Sequence, residues 1–325
     1  MAGPHPRSPR GRVLTVGVPG QVRDLLPRCT FPPPGHPVTL AVSGGADSLT
    51  LLVLAVATGL APTATAVHVD HGLRPGSAAE ASVVAAAAER FGLAFRSESC
   101  VVADGPNLEA RARAARYSVL PADVLTGHTA DDRAETILLN LLWGAGLDGL
   151  SAMRPSQRRP LLGLRRAETE SVCRLVGIEP VRDPSNADAR FRRNRIRHEL
   201  LPLLADVAGR DPVPVLCRQA DLLADDADLL DDLAAGIDPT DAKALAAAPL
   251  PLARRVVRTW LRASSPDGQP PGAAEVERVL AVAREASVAT EVDGGRRVAR
   301  TAGRLRIEPP LGLPDRHTWQ DAEDG

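Results

Sequence analysis

The chain has 325 residues and 44% of them are hydrophobic, so it is long enough to form two domains with packed cores. Its 39 basic and 40 acidic residues give a formal net charge of -1, which excludes a uniformly basic surface and leaves only local patches for nucleic acid. The longest apolar run, residues 49–61, is too short and too interrupted to cross a bilayer, so we expect no membrane partner.

Residues 1–37 form an extension rich in proline, glycine and arginine, which predicts partial disorder with one short helix at 21–26. From residue 38 onward, short β-branched runs alternate with longer amphipathic runs. The predicted strands are 38–42, 63–69, 93–101 and 123–126, and the predicted helices are 47–60, 77–91, 107–120 and 131–143. This alternation predicts an α/β domain over residues 38–210, in which helices cover both faces of a parallel sheet.

A cluster of glycine and proline at 205–214 follows a predicted helix at 192–204 and marks the end of the α/β domain. The next part, residues 211–315, is predicted to be a smaller α+β domain. It contains an acidic helix at 221–232, an arginine-bearing helix at 252–261 and a terminal hairpin over 288–307. Residues 316–325 are predicted to be a loose tail.

The most informative motif is Ala-Val-Ser-Gly-Gly-Ala-Asp-Ser at 41–48, between the first predicted strand and the following helix. Adjacent glycines let the backbone approach a ligand closely, and the helix N-terminus offers N–H groups to a phosphate. The loop has no Walker lysine, and Asp47 suits a Mg²⁺ ligand or a helix cap better than a phosphate contact. The predicted nucleotide-binding residues here are Ser43, Gly44, Gly45, Asp47 and Ser48.

Two further motifs should reach the same edge of the sheet, because ligands of parallel sheets bind beyond the carboxyl ends of the strands. Residues 67–74 end the second strand and place there His68, a further predicted nucleotide-binding residue. Residues 126–136 follow the fourth strand. Helix capping explains one or two acids in the second motif, but three acids beside a histidine favour Mg²⁺ binding and proton transfer. The predicted catalytic residues are Asp47, His128, Asp131, Asp132 and Glu135, of which Asp47 and Asp131 are the predicted metal ligands.

Residues 107–117 open another helix that carries several arginines. A plain amphipathic surface helix explains this pattern. A phosphate site without a lysine nevertheless needs an arginine to neutralise the polyphosphate, and Arg111 and Arg116 are the candidates.

Taken together, these motifs resemble the tRNA(Ile)-lysidine synthases, a family of the N-type ATP pyrophosphatases with an adenine nucleotide alpha hydrolase-like fold. The resemblance also rests on residues 144–151, 159–162, 183–186 and 193–197, and it is close over residues 38–204. The last third of the chain resembles the first C-terminal domain of the family only loosely. Two positions depart from the family: Thr129 stands where a second histidine is frequent, and Trp143 stands where a basic or polar residue is usual.

The resemblance implies that ATP adenylates C2 of the wobble cytidine in isoleucine tRNA with a CAU anticodon, after which free L-lysine displaces AMP and forms lysidine. ATP and Mg²⁺ are the implied cofactors, and residues 211–315 are the implied tRNA-binding domain. A solvated arginine-rich face explains residues 192–197 nearly as well as RNA contact does. The implied substrate-binding residues are Asn107, Glu109, Arg116, Arg193, Asn194, Arg195 and Arg197.

Two alternatives stay open. A non-enzymatic ATP or AMP sensor would keep the loop at 43–48 without needing three acids, and another tRNA-modifying enzyme of the same superfamily would share the loop. The four scattered cysteines form no Cys-x-x-Cys pair, which disfavours sulfur transfer and is typical of reduced thiols in a cytoplasmic protein. The sequence is compatible with a homodimer.

Overall fold

The computed structural model describes residues 17–70, 77–102, 108–181, 188–265 and 268–310, without the side chains of 77–79 and 108–110. The chain divides between Leu223 and Ala224 into two compact units, each with its own hydrophobic core. All four cysteines are free thiols. Within the described ranges, every helix is too short or too polar to span a bilayer.

The first unit alternates strands and helices as the sequence predicts. Two short 3-10 helices, Leu26–Arg28 and Ala61–Thr63, lie among these elements. In chain order the elements are α1 (Gly20–Arg23), β1 (Val38–Ala41), α2 (Ala46–Ala57), β2 (Ala64–Asp70), α3 (Ser77–Phe91), β3 (Ala94–Ser99), α4 (Leu108–Ser118), β4 (Leu125–Thr126), α5 (Ala130–Leu142), α6 (Leu147–Leu150) and α7 (Arg166–Val176).

The four strands form one parallel sheet in the order β3-β2-β1-β4. Side chains of a strand alternate between its two faces, and β2 shows the result: Ala64 and Ala66 enter the main core, whereas Val67 and Val69 pack on the other face. Helix α2 lies in the main core, where residues 49–55 are all fully buried. The other face is covered by the end of α4, through Tyr117. The predicted sheet with helices on both faces is therefore confirmed.

The order of the strands reverses next to β1, because β2 lies on one side of it and β4 on the other. Such a reversal leaves a crevice beyond the carboxyl ends of the two strands, where doubly wound sheets bind their ligands. The loop after β1 and the loop after β4 flank this crevice. The loop after β4 comes very close to α2: a methyl group on Gly127 would lie 2.7 Å from the carbonyl oxygen of Asp47.

The end of the first unit is helical but irregular. It contains α8 (Arg192–Arg195), a π-helical turn at Ile196–Leu200, and α9 (Leu201–Ala208), which ends at Gly209 in the left-handed conformation with φ 62°. The single helix predicted over 192–204 is therefore interrupted by a wider turn. A π turn is frequent at functional sites, and this one carries Arg197.

Helix α10 (Pro212–Ala235) contains the division between the units. The second unit continues with α11 (Ala242–Ala247), α12 (Leu250–Ser264), α13 (Ala273–Ala283), β5 (Ala289–Val292), β6 (Arg296–Thr301) and β7 (Arg304–Glu308). The strands form an antiparallel sheet in the order β5-β6-β7, and its apolar face packs on α12 and α13. The predicted α+β class is confirmed, but the predicted single hairpin is a three-stranded sheet with two turns.

Candidate active site

The loop between β1 and α2 forms a closed ring of hydrogen bonds around Ser48. The Ser43 backbone N–H donates to Ser48 Oγ (3.1 Å), the two serine hydroxyls are 3.2 Å apart, and Ser48 Oγ donates to the Gly45 carbonyl (2.9 Å). Gly44 has φ +87°, and its carbonyl accepts from Val181 N (2.9 Å). A side chain is strained at such a φ, so glycine is required there. Gly45 caps α2 without a side-chain hydrogen bond, and the first residues of the helix line the crevice, where N–H groups of a helix N-terminus can bind an anion.

The crevice is a cavity of about 720 Å³. The predicted loop residues Ser43, Gly45, Asp47 and Ser48 line it, and so do His68, His128 and Asp132. The structure therefore brings together residues from three separate predicted motifs. Its cationic lining comes from Arg116, Arg166 and Arg197, which lie on α4, α7 and the π turn.

Arg166, at the start of α7, is the residue that links the acids of the site. Its guanidinium donates to Asp47 (3.4 Å), Asp132 (2.8 Å) and Glu135 (3.0 Å). Burial lowers the pKa of Arg166, but the carboxylates of Asp132, Glu135 and Asp47 outweigh it and hold the pKa above its usual value. Arg166 is therefore a fixed cation at the centre of three carboxylates.

Asp47 lies at the mouth of the loop, where its carboxylate accepts from the Thr169 hydroxyl and from Arg166. Burial raises the pKa of Asp47 to about 6, and the nearby negative charge of Asp132 adds to this effect. Two carboxylates that repel each other in a partly buried site favour the binding of a cation between them.

Asp132 serves two functions at the start of α5. It closes a capping box by accepting from Thr129 N (2.8 Å), and it accepts from Arg166 through its other oxygen. Burial would raise the pKa of Asp132, but the positive charges of Arg166 and Arg193 hold it below its ordinary value. The same carboxylate therefore caps α5 and binds Arg166 in the cavity.

Glu135 is fully buried and is bound by three guanidinium groups. It accepts from Arg166 (3.0 Å), from Arg193 (2.8 Å) and from Arg197 (2.7 and 3.1 Å). The described residues that line the cavity do not include Glu135. Its position indicates that it orients the arginines.

Asp131 points to a different partner from its neighbour Asp132. It forms a two-point ion pair with Arg165, with both distances 3.0 Å, and accepts from Arg166 N (2.8 Å). Burial would raise the pKa of Asp131, but these hydrogen bonds hold it low. The described cavity lining lacks Asp131, so the predicted metal pair Asp47 and Asp131 is not brought together there.

His128 is a neutral histidine in the cavity wall. Burial lowers its pKa to about 4. The Thr126 hydroxyl lies 2.7 Å from His128 Nδ1 and 3.2 Å from the Arg158 carbonyl. Both hydrogen bonds form together only when the hydroxyl donates to the carbonyl and Nδ1 carries the imidazole proton, which leaves Nε2 as a proton acceptor.

The remaining predicted residues fall into three groups. His68 is 2% exposed and its Nδ1 lies 3.1 Å from the Val42 carbonyl. Arg116 lines the cavity and burial lowers its pKa, whereas Arg111 is absent from the described lining. Asn107 and the side chain of Glu109 lie outside the described residues.

The arginine-rich segment also separates into different roles. Arg193 and Arg197 bind Glu135, and Arg197 also lines the cavity. Asn194 is buried and donates to the Asp188 carbonyl (2.9 Å), which stabilises the start of α8. Arg195 is exposed and pairs with Glu199 (2.8 Å). Only part of the predicted substrate-binding set therefore faces the cavity.

Sequence analysis missed Arg165, Arg166 and Thr169. Arginines at the start of a helix are unfavourable to the helix dipole, so the Arg165-Arg166 pair was itself a signal that acids lie nearby. The preceding segment reaches the site through backbone hydrogen bonds, from Thr126 N to Arg158 O and from Ala130 N to Leu164 O.

Mg²⁺ requires oxygen ligands and in nucleotide sites takes one or two carboxylates besides the phosphates. Asp47 and Asp132 both line the cavity, and the pKa of Asp47 is raised mainly by burial and further by the negative charge of Asp132. No cluster of three or more acids, histidines or cysteines suitable for a metal occurs in the described part of the chain. The donor set fits a Mg²⁺ that arrives with the nucleotide.

Two family models match the chain in sequence. The PP-loop domain matches residues 22–204, and the TilS substrate binding domain matches residues 241–306. The first match covers the sheet and the cavity, and the second covers α12, α13 and most of the antiparallel sheet. The PP-loop match supports ATP binding by the first unit.

Several curated proteins are similar over most of the chain. It is 46% identical over 244 residues to the tRNA(Ile)-lysidine synthase of Mycolicibacterium paratuberculosis, with 70% of this chain and 75% of that protein covered. It is also 46% identical to the tRNA(Ile)-lysidine synthase of Nocardia farcinica, over 69% of this chain and 75% of that one. It is 44% identical to the tRNA(Ile)-lysidine synthase of Mycobacterium leprae, over 68% of this chain and 74% of that one.

A solved structure shares the fold. The U34-tRNA thiolase NcsA from Methanococcus maripaludis aligns with a TM-score of 0.50 over 63% of this chain and 78% of that one, at 14% identity. Such an identity shows a common fold alone. The identities to the curated relatives, together with both domain matches, show that the chain belongs to the tRNA(Ile)-lysidine synthase family.

Proposed function

We propose that the protein is a carbon–nitrogen ligase that joins free L-lysine to C2 of the wobble cytidine in isoleucine tRNA with a CAU anticodon. The products are lysidine, AMP and pyrophosphate, and the reaction takes place in the cytoplasm. The observation that carries the proposal is one cavity in which a phosphate loop, the acids Asp47 and Asp132, the imidazole of His128 and three arginines meet. The family supports this choice of reaction.

The first step forms an adenylate. The O2 oxygen of cytidine attacks the α-phosphorus of ATP, the bond to the β-phosphate oxygen breaks, and pyrophosphate leaves. Ser43, Ser48 and the N-terminus of α2 would bind the phosphates, because they offer hydroxyl and N–H donors at one place. Arg116 and Arg166 would neutralise the charge of the departing pyrophosphate, which a lysine provides in other phosphate loops.

Asp47 and Asp132 would hold the Mg²⁺ that accompanies ATP. When bound, Mg²⁺ neutralises phosphate charge and polarises the phosphoryl oxygens. Arg166 shares both carboxylates, so the residue is well placed to keep them together before the nucleotide arrives.

The second step forms the carbon–nitrogen bond. An unprotonated amine of lysine attacks C2, the C2–O2 bond breaks, and AMP leaves with the oxygen. The attacking nitrogen must lose a proton, and His128 Nε2 and the Asp132 carboxylate are our candidate acceptors because both residues line the cavity. Arg197 is our candidate for binding the lysine carboxylate, because it lines the cavity and Glu135 fixes the orientation of its guanidinium.

The test is incorporation of radiolabelled lysine into an isoleucine tRNA transcript with a CAU anticodon, in the presence of ATP and Mg²⁺. We expect label in the RNA, one pyrophosphate released per lysine, and loss of both in Asp47→Ala. Asp123→Ala is the matched control because Asp123 is exposed and lies outside the cavity lining. ATP binding without pyrophosphate release or labelled RNA would reject the ligase and favour a nucleotide sensor.

A further inference from the structure

Trp143 is an exposed aromatic residue at a defined place on the surface of the first unit. It ends α5, and its N–H donates to the carbonyls of Leu139 (3.1 Å) and Asn140 (3.2 Å). Gly144 follows with φ 73°, which turns the chain away from the helix. The Trp143 side chain nevertheless remains 63% exposed. The main chain at Trp143 is therefore fixed while the residue stays exposed, which leaves the indole open to contact with another molecule.

The surroundings of Trp143 combine apolar surface with positive charge. Leu141 and Leu142 are 55% and 67% exposed beside it. The guanidinium of Arg192 lies over the Trp143 ring, 5.9 Å from the ring centroid. Arg192 is itself exposed at the start of α8. An aromatic face beside a guanidinium plane is the combination on which unpaired RNA bases stack.

The position of this pair relative to the cavity follows from the elements that carry it. Asp132 lines the cavity in the first turn of α5, and Trp143 ends the same helix. A rise of 1.5 Å per residue separates the two by about 16 Å along the helix. Arg192 is adjacent to Arg193, which binds Glu135 behind the cavity. A strand whose target base enters the cavity could therefore place a nearby nucleotide on Trp143.

We propose that Trp143 and Arg192 form a stacking site for an unpaired base of the tRNA loop that carries the target cytidine. The inference rests on the proposed function, because it takes its ligand from the same RNA. The charge favours RNA over a protein partner: the exposed apolar area is limited to three neighbouring side chains, and the adjoining cation suits a phosphate backbone. Every base has a face that can stack on an aromatic ring. This site therefore increases the affinity for the RNA without selecting a particular base.

The experiment measures the dissociation constant of the CAU isoleucine tRNA transcript for the wild type, Trp143→Ala, Trp143→Phe and Leu142→Ala. We expect Trp143→Ala to raise the constant about tenfold, since base stacking on an aromatic is worth about that much. Trp143→Phe keeps an aromatic face and should recover most of the affinity. Leu142→Ala is the matched control, since it removes an adjacent exposed apolar side chain without an aromatic face. ATP affinity should not change in any variant.

A set of transcripts, each lacking the base at one position of the loop, identifies the base that stacks on Trp143. Removal of the stacked base should weaken binding to the wild type and have no effect on binding to Trp143→Ala. Equal RNA affinity of the wild type and Trp143→Ala would overturn the inference and leave the patch to a protein partner or a second copy of the chain. A wild type that neither binds the transcript nor incorporates lysine would instead reject the proposed function, so the two failures are distinct.

Discussion

Glu135 is the residue on which the arrangement of the site depends most directly. It is fully buried and binds the guanidiniums of Arg166, Arg193 and Arg197. Glu135→Gln removes the negative charge of this side chain. The three guanidiniums then lose a buried counter-charge. We expect the free energy of unfolding in urea to fall by about 3 kcal/mol, the cost typical of a buried ion pair that loses one partner.

Glu89→Gln is the control for this substitution, because Glu89 is exposed on α3 and should not change the unfolding midpoint. If Glu135→Gln keeps full stability but loses lysine incorporation, the orienting role is wrong and Glu135 acts in the chemistry itself.

His128 gives a prediction about pH. Its folded pKa is about 4, and its ordinary value is 6.5. Between these values the unfolded chain binds more protons than the folded one, so this residue makes stability fall as the pH drops from 6.5 toward 4. We expect the wild type to lose about 2 kcal/mol more than His128→Asn between pH 7.5 and pH 5, measured by urea unfolding. The exposed His36, changed to Asn, should reproduce the wild-type loss.

A parallel pH dependence of the wild type and His128→Asn would show that the imidazole is accessible to protons in the folded state. Its assignment as a neutral acceptor through Nε2 would then be wrong.

The individual residues of the site differ in how far the sequence predicts them. The Ser43 to Ser48 segment is a local motif, so its glycines and hydroxyls could be assigned from spacing alone. Arg166 could not, because it meets Asp132 from 34 positions away and Asp47 from 119 positions away, and only the folded sheet brings them together. The roles of the predicted catalytic and substrate-binding residues stay predictions.

At the scale of elements, the closest approach in the site is between the loop after β4 and the first turn of α2. A methyl group on Gly127 would lie 2.7 Å from Asp47 O and 3.0 Å from Ser48 N. Gly127→Ala must therefore push the two elements apart. We expect a loss of about 2 kcal/mol in unfolding free energy and a weaker ATP affinity, measured by urea titration and calorimetry.

Gly20→Ala provides the comparison, because nothing lies within 4 Å of a methyl group at Gly20 and α1 tolerates alanine. An ATP affinity that is unchanged in Gly127→Ala would mean that the phosphate loop does not depend on this contact.

The elements also show where sequence patterns fail. The regular succession of short β-branched runs and longer helical runs predicted the four parallel strands to within a few residues. The π turn at Ile196–Leu200 was missed because its wider period differs little from that of an α-helix over five residues. The second turn of the antiparallel sheet was missed because Ala302 adopts a positive φ of 49°, where asparagine, aspartate or glycine is expected.

At the scale of the whole molecule, the charge balance hides an uneven distribution. The chain has 39 basic and 40 acidic residues, yet Arg116, Arg166 and Arg197 all line the same cavity. Several of the arginines are engaged by acids within each unit, for example Arg166 with Asp132 and Arg255 with Asp231. The net charge alone could not have shown where RNA binds, because it averages over these local arrangements.

The salt dependence of binding therefore tests whether local arginines hold the phosphates of the tRNA. Each phosphate that an arginine neutralises releases counterions, so the dissociation constant of the tRNA transcript should rise at least about tenfold between 50 and 200 mM KCl. The dissociation constant of Mg²⁺-ATP should rise much less, because its phosphates bind in a partly enclosed cavity through N–H and hydroxyl donors as well as cations. Both constants would be measured in the same buffers. If the tRNA constant is insensitive to salt, the RNA is not bound through a basic surface, and a chain of net charge -1 must recognise it through base contacts alone.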